Sequence, residues 1–384
     1  MTPEIRTLAD DEKITEPGFY NISLDRHHSQ PCDGPSVTSG VLRQMELATP
    51  ADVWAFSLLN PERWERPETK ALTLGRAMAT YVEGGGDAVR EEYHVMPEDA
   101  PSRPTQNMLD TYDIDDLETF AFKPLPDGLP RRPLESAMAK FRAGELKGAA
   151  ARSAQVWADL EAKQKAGGFS YLKASEFDKA RDLKARCEFW INFDKDPRDK
   201  LTFNDFTMID NMGRALIQDV GAAAAMGGVP ECTMAYRDEI TGIWVLARPD
   251  TINFDGTVTD YKKMNTMGDP FTYRVVDQRI EKHEYHMQLA LGAEALMQLG
   301  VGWPSMAAIV AQWDRAPHHV ILREIDQEAL RIGQWQNRRA LTRFAECLNS
   351  GHWPGPGEDV ATYQMSEWRR DMLIEQMNTE GLAP

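Results

Sequence analysis

The sequence has 384 residues, of which 42% are hydrophobic and 27% charged, and this composition predicts a globular protein of one large or two ordinary domains. It excludes disordered and fibrous chains, and no run approaches the roughly 18 consecutive apolar residues of a membrane span. The net charge of −17 argues against indiscriminate nucleic-acid binding, because phosphate backbones are held by concentrated Lys and Arg. With a polar, acidic N-terminus in place of a signal peptide, we expect a cytoplasmic protein with no membrane partner.

Turn signals divide the first part of the chain, residues 1–130, and two runs in it, 50–59 and 72–82, have helical character. We expect this part to be an N-terminal segment whose helices pack on the core that follows. Residues 131–200 hold 16 basic and 11 acidic side chains and contain few helix breakers. They are predicted to form a helical, locally basic insertion, with one or two helices over 134–166 and another over 174–189. The interleaved acids favour a solvated face over a DNA-binding face.

The core is predicted over residues 201–350, where the pattern changes from helix to strand. A helix runs from the N-cap Thr202 to about residue 225, and three antiparallel strands follow it. The remaining elements are listed by their predicted ranges: strands over 231–236, 242–247 and 256–261, a long helix over 277–299, strands over 307–313 and 319–325, and a helix over 327–348. Residues 351–384 are predicted to be a C-terminal tail.

The most informative stretch is Arg248-Pro249-Asp250, followed after nine residues by Asp260-Tyr261-Lys262. Alternate residues of a strand face the same way, so this spacing places two carboxylates and an ammonium on one side of a hairpin. Phosphodiester hydrolysis uses a hard cation held by oxygen ligands and a nearby group that positions or deprotonates water. Asp250, Asp260 and the Tyr261 carbonyl are candidates for the first role, and Lys262 for the second. Glu231, which opens a preceding strand, is a third acid that could converge on them.

The tripeptide alone is not selective. An acidic residue two positions before a lysine occurs six times in this chain. Five copies lie in loop-like or helical surroundings, where a solvated charge pair explains them. Only Asp260 lies at a predicted strand end with Pro-Asp ten residues upstream. Context therefore favours a nuclease site, while a set of surface charges stays open from the pattern alone.

The Pro-Asp and Asp-x-Lys pair resembles the PD-(D/E)xK nuclease superfamily. Over about residues 15–350 the chain is similar to the exonuclease VIII (RecE-type) phage recombination exonucleases. The segments that carry this similarity, in the family's order, include Pro17-Gly18-Phe19-Tyr20, Leu74-Gly75-Arg76-Ala77, Thr241-Gly242, Arg248-Pro249-Asp250, Asp260-Tyr261-Lys262 and Tyr285-His286-Met287-Gln288-Leu289-Ala290. The implied fold is α/β and restriction-endonuclease-like, with a mixed central sheet flanked by helices and a helical N-terminal elaboration.

The resemblance also implies roles for single residues. Asp250, Asp260 and Tyr261 would bind Mg²⁺, with Mn²⁺ as a substitute, and Lys262 would activate or orient water. Glu231 would join the metal shell through a water.

Gln288 would act beside the site from the following helix, and Tyr285 and Arg248 are candidate DNA contacts. One departure stands out, because Ala79 occupies the position of a family histidine that approaches the metal. His27 and His28 are the other imidazoles that could approach the site.

The implied activity is Mg²⁺-dependent degradation of double-stranded DNA from its ends, in the 5′ to 3′ direction, leaving 3′ single strands for phage-type homologous recombination. The resemblance further implies a homo-oligomeric ring, a single-strand annealing (RecT-like) partner, and a phage or prophage origin in a bacterial host. Two alternatives stay open. One is a non-catalytic DNA-end-binding protein with a nuclease fold, motivated by Ala79, and the other is a structure-specific endonuclease of the same superfamily. An iron–sulfur nuclease is excluded, because Cys347 is the only cysteine after the core.

Overall fold

The computed structural model describes residues 3–9, 11–65, 67, 69–111, 121–358 and 362–380. The chain divides into two compact units, one made of Met1–Val89 with Thr207–Pro384 and the other of Arg90–Phe206. The segment predicted as a helical insertion, residues 131–200, falls inside the second unit. In the described ranges, none of the helices is both long and apolar enough to span a membrane.

The elements are numbered along the chain. The strands are β1 (Ile5–Thr7), β2 (Gly18–Asn21), β3 (Ser36–Thr38), β4 (His94–Val95), β5 (Phe122–Pro124), β6 (Ser170–Leu172), β7 (Lys200–Leu201), β8 (Val229–Pro230), β9 (Thr233–Arg237), β10 (Trp244–Ala247), β11 (Thr251–Asn253), β12 (Thr257–Met264), β13 (Met306–Trp313) and β14 (Val320–Glu324). The helices are α1 (Leu24–His28), α2 (Ser39–Leu47), α3 (Pro50–Ala55), α4 (Lys70–Glu92), α5 (Gln106–Thr111), α6 (Glu135–Arg142), α7 (Gly148–Gly167), α8 (Ala174–Lys195), α9 (Phe203–Gln218), α10 (Val220–Ala225), α11 (Tyr273–His283), α12 (Tyr285–Gln298), α13 (Gln327–Ser350) and α14 (Glu367–Glu380).

The first unit contains two five-stranded sheets. Their strand orders are β1-β2-β9-β10-β3 and β14-β13-β12-β11-β8. Each sheet combines parallel and antiparallel neighbours: β12 is parallel to β13 and antiparallel to β11, and β10 is parallel to β3 and antiparallel to β9. Helices pack on both sheets, so the predicted mixed α/β, restriction-endonuclease-like fold is confirmed, with the strands divided between two sheets.

The prediction of three consecutive antiparallel strands is wrong, and Pro249 marks the reason. β9 pairs with β10 in the first sheet, whereas β12 pairs with a short extra strand, β11, in the second sheet. Proline has no N–H to donate to a ladder, so the chain leaves the first sheet at Arg248-Pro249 and enters the second. β12 also continues to Met264, which places Asp260 inside the strand instead of at its end.

The run 134–166 forms two helices, α6 and α7, in agreement with the expected one or two. Two other predicted helices are divided. The run 202–225 forms α9 and α10, where Asp219 caps the new helix by accepting a hydrogen bond from the Ala222 N–H. The run 277–299 lies in α11 and α12, because Glu284 between them adopts a left-handed conformation with φ of 52°. The helix at 72–82 lies within the longer α4, and the tail contains α14, which was not predicted.

The hydrophobic core lies between the sheets and the helices α2, α12 and α13. α12 is buried over most of its length, from Met287 to Leu296, because α13 and strands of both sheets surround it. Gly333 of α13 permits the close approach of the two helices, since a Cβ there would lie 2.9 Å from the Ala290 Cβ and 3.0 Å from the His286 carbonyl oxygen. This tight packing fixes the first turns of α12, which border the site described below.

The second unit is mainly helical. It contains α5 to α8 and two short parallel strand pairs, β4 with β7 and β5 with β6. Some of its basic side chains pair with the interleaved acids, as in Arg142 with Glu135 and Arg181 with Asp178. These exposed pairs agree with a solvated face, which was the favoured interpretation of the basic excess.

Candidate active site

The β11–β12 hairpin brings two predicted carboxylates together. Thr251 pairs with Thr259, so Asp250, just before β11, lies opposite Asp260 in β12. The Tyr261 N–H donates a hydrogen bond of 2.6 Å to Asp250 Oδ2. This bond fixes the Asp250 carboxylate beside the strand that carries the other predicted residues.

Asp260 is fully buried and holds the centre of the cluster. Its Oδ1 accepts a hydrogen bond of 2.9 Å from Gln288 Nε2 on α12. Its Oδ2 forms an ion pair with Lys262 Nζ. The two side chains meet because residues two apart in a strand share a face. The structure therefore brings Asp250, Asp260, Lys262 and Gln288 together, as predicted.

A cavity of about 460 Å³ opens beside this cluster. Asp250, Lys262, Glu231 and Tyr285 line it, and Ala79 of α4 lies on its wall. The Tyr285 ring centroid is 5.2 Å from Lys262 Nζ. The cavity is thus bordered by oxygen ligands and cationic groups, which is the combination that a metal ion and a phosphate require.

Burial and the neighbouring charges change the pKa values of Asp250 and Lys262. Burial, followed by the neighbouring Asp260 carboxylate, raises the pKa of Asp250 to about 8, against the opposing effects of Lys262 and the Tyr261 N–H. Burial opposes the ammonium form of Lys262, but the Asp260 and Asp250 carboxylates outweigh it and raise the Lys262 pKa. Lys262 is therefore a cation in the metal-free protein and can orient a water or a phosphate oxygen by donation.

Glu231 lines another part of the cavity wall and forms an ion pair with Arg248. Arg248 Nη2 and Nε donate to Glu231 Oε2 at 2.5 and 3.0 Å. The Arg248 side chain is only 10% exposed. The DNA contact predicted for Arg248 stays a prediction, and the structure directs its guanidinium towards protein acceptors.

The predicted histidines lie elsewhere. His27 and His28 line a separate cavity of about 370 Å³, and neither lines the cavity of Asp250. His27 is buried with its Nδ1 3.1 Å from Thr233 Oγ1, and burial lowers its pKa well below the ordinary value. Ala79 lines the Asp250 cavity with a methyl group, so the expected imidazole has no replacement at that position.

Several residues near the site were not predicted from the sequence. Arg43, Glu83 and Lys263 also line the cavity. Gln312 of β13, fully buried, accepts a 2.7 Å hydrogen bond from the Tyr261 hydroxyl. A sequence signal existed for Gln312, because it interrupts the otherwise apolar run of β13. Glu83 lies one helical turn after Ala79, just beyond the predicted end of that helix.

The residues present fit a divalent metal ion. Asp250 and Asp260 offer carboxylate oxygens, the ligands that Mg²⁺ and Mn²⁺ prefer, and Asp250 lines the cavity beside the buried Asp260. Within the described ranges, no three His, Cys, Asp or Glu side chains are close enough to form a metal site by themselves. The set fits an ion that keeps several waters, as Mg²⁺ commonly does.

A protein-family model described as a PDDEXK-like domain of unknown function (DUF3799) matches residues 138–365. This match covers more than half of the chain. The chain belongs to this family. The PD-(D/E)xK prediction is confirmed by it, and the PDDEXK-like domain includes every predicted site residue from Glu231 to Gln288.

No curated protein matches the sequence. A crystal structure of a protein from Eubacterium rectale, described as a candidate exonuclease, aligns with a TM-score of 0.49 and 12% identity, covering 92% of this chain and 98% of that chain. The PDDEXK-like domain supports a nuclease. PDDEXK nucleases typically use divalent metal ions.

Proposed function

We propose that the protein is a Mg²⁺-dependent exodeoxyribonuclease that degrades double-stranded DNA from its ends. The observation that supports this proposal is that Asp250, Asp260 and Lys262 lie together beside one cavity of a PDDEXK-like domain. The oxygen ligands and the ammonium are the groups that phosphodiester hydrolysis needs.

Each side chain has a part in the proposed mechanism. Asp250, Asp260 and the Tyr261 carbonyl would hold Mg²⁺, which would supply charge neutralisation at the scissile phosphate and an acidified water. Gln288 holds one oxygen of Asp260, and the Tyr261 N–H holds one oxygen of Asp250, so both carboxylates are oriented before substrate arrives. Lys262, which contacts Asp260 Oδ2, would orient the attacking water or a phosphate oxygen.

The finer features of the proposal rest on the sequence segments that resemble RecE-type exonucleases and occur in the same order. They are 5′ to 3′ polarity, a 3′ single-stranded product for phage-type recombination, a homo-oligomeric ring and a RecT-like annealing partner. A ring is compatible with the net charge of −17, because DNA would then pass a locally cationic passage while the outer surface repels it.

The test is digestion of linear duplex DNA labelled at either the 5′ or the 3′ end, with Mg²⁺ or with EDTA. We expect early release of the 5′ label only with Mg²⁺, and none by Lys262→Ala. Lys282→Ala, which changes an exposed lysine of α11, is the matched control and should digest at the wild-type rate.

Two further measurements separate the alternatives. Cutting of a covalently closed circle would support a structure-specific endonuclease and contradict the exonuclease. Binding of DNA ends without digestion at any Mg²⁺ or Mn²⁺ concentration would support a non-catalytic protein. Ala79 favours that second candidate, because it leaves the cavity wall without an imidazole.

A further inference from the structure

The Arg248 side chain is mostly buried and donates hydrogen bonds to protein acceptors. Besides its two donations to Glu231 Oε2, its Nη1 donates to the Ile22 carbonyl at 2.5 Å and lies 3.3 Å from Thr233 Oγ1. Thr233 is fully buried and also contacts His27 Nδ1 at 3.1 Å. The guanidinium is therefore held by hydrogen bonds to protein acceptors and is poorly placed to reach a DNA phosphate.

Glu231 is held in an unusual conformation. Its φ is 46°, in the left-handed region that costs a residue with a side chain roughly 1 kcal/mol or more. Its N–H donates to the Asp250 carbonyl at 3.0 Å, which ties its backbone to the neighbouring carboxylate residue. A strained residue in a cavity persists only where its surroundings hold it, and Arg248 supplies the side-chain restraint.

The ion pair uses only one oxygen of Glu231. Both Arg248 donors meet Oε2, and Oε1 accepts no hydrogen bond from the described residues. Glu231 and Asp250 line the same cavity. The pair thus leaves one carboxylate oxygen available while Arg248 cancels the added charge.

We propose that Arg248 is a positioning residue that holds Glu231 Oε1 at the cavity as an outer ligand of the bound metal ion. The inference rests on the proposed function, because it takes the cavity to be the metal site. It assigns to Arg248 an effect on metal binding through Glu231 and no contact with DNA.

The first test is Mn²⁺ binding to the full chain without DNA, measured by isothermal titration calorimetry. Arg248→Lys keeps the charge but loses the two-donor geometry, and we expect Mn²⁺ affinity to fall roughly 10- to 100-fold, as for other outer-shell partners of metal ligands. Arg338→Lys is the matched control. Arg338 is paired with Asp238 at 2.7 Å outside this cavity, so its replacement should leave Mn²⁺ affinity unchanged.

The second measurement is binding of labelled duplex DNA in EDTA as a function of salt. Arg248→Lys and Arg248→Gln should retain the wild-type affinity and salt dependence. A DNA-contacting arginine would behave differently, because losing one phosphate contact lowers the slope of log affinity against log salt by about 0.9. Such a change in Arg248→Gln, with Mn²⁺ affinity unchanged, would overturn the positioning role.

A double-mutant cycle tests whether Arg248 acts through Glu231. Glu231→Gln should weaken Mn²⁺ binding, and adding Arg248→Lys to it should weaken binding no further. If the two substitutions lowered Mn²⁺ affinity independently, so that their effects added in the double variant, the coupling would be refuted. The Glu231→Gln variant alone tests whether Glu231 is a ligand, even if an Arg248 variant folds poorly. If wild-type protein bound no Mn²⁺, the proposed metal site would fail together with this role. If wild-type protein bound Mn²⁺ and none of these substitutions changed the affinity, the role of Arg248 would be refuted while the proposed metal site would stand.

Discussion

Replacement of Asp250 by asparagine tests the electrostatics of the site most directly. The pKa of Asp250 is raised from the ordinary 3.8 to about 8, first by burial and then by Asp260. Between these two values the folded, metal-free protein binds a proton that the unfolded chain has lost. The contribution of Asp250 to stability is therefore greatest below about pH 4, falls as the pH rises from about 4 to about 8, and changes no further above that.

The size of the effect follows from the pKa difference. Each pKa unit corresponds to about 1.4 kcal/mol, so ionising Asp250 costs the folded, metal-free protein at most about 6 kcal/mol. Water in the cavity reduces this figure, since Asp250 is half-buried and lines the opening. Asp250→Asn removes the ionisation, so the variant in EDTA should become more stable than wild type at pH 9 and should gain much less at pH 5.

Urea unfolding in EDTA at pH 5 and pH 9 measures this difference. Asp238→Asn is the contrasting control, because hydrogen bonds from Arg338 and Thr241 outweigh burial and lower the pKa of Asp238. That variant should lose stability at neutral pH. Equal unfolding free energies for wild type and Asp250→Asn at pH 9 would refute the reasoning. In wild type, Mg²⁺ affinity should rise about tenfold per pH unit below pH 8, because the ion displaces the proton.

Three further changes have defined outcomes. Gln288→Leu leaves a buried oxygen of Asp260 without its donor, which should cost about 1–3 kcal/mol in urea unfolding and slow DNA digestion. Gly213→Ala places a Cβ 1.8 Å from the Tyr81 ring, so its melting temperature should fall, and an unchanged value would contradict that packing. Ala79→His adds an imidazole to the cavity wall and should tighten Mn²⁺ binding in calorimetry; weaker binding would show that the side chain cannot reach the ion.

The centre of the site was predictable because its geometry is local. Asp260 and Lys262 share a face by strand alternation, and Asp250 joins them through a hairpin of short sequence separation. The partners of Arg248 could not be predicted in this way. Ile22 and Thr233 lie far away in sequence or on another strand, and no period links them to Arg248.

The division into two sheets was missed for a different reason. β11 has only three residues, too few to give an alternating pattern, and it replaces β10 as the antiparallel neighbour of β12. Pro249 was informative as a strand terminator but was interpreted only as part of a motif. The break between α11 and α12 could not be predicted either. It occurs at Glu284, which adopts a left-handed conformation although no glycine is present there to signal it.

The charges at the cavity explain why these residues suit a metal ion. Two carboxylates, Asp250 and Asp260, face one ammonium, Lys262, where burial makes an unbalanced charge costly. A proton on Asp250 satisfies this balance at neutral pH, and a divalent ion can replace that proton while binding both carboxylates. Glu231 would add a third negative charge, yet its effect on the Asp250 pKa is the smallest of the causes that act on it. Arg248 balances this third charge locally, because both of its donors bind Glu231 Oε2.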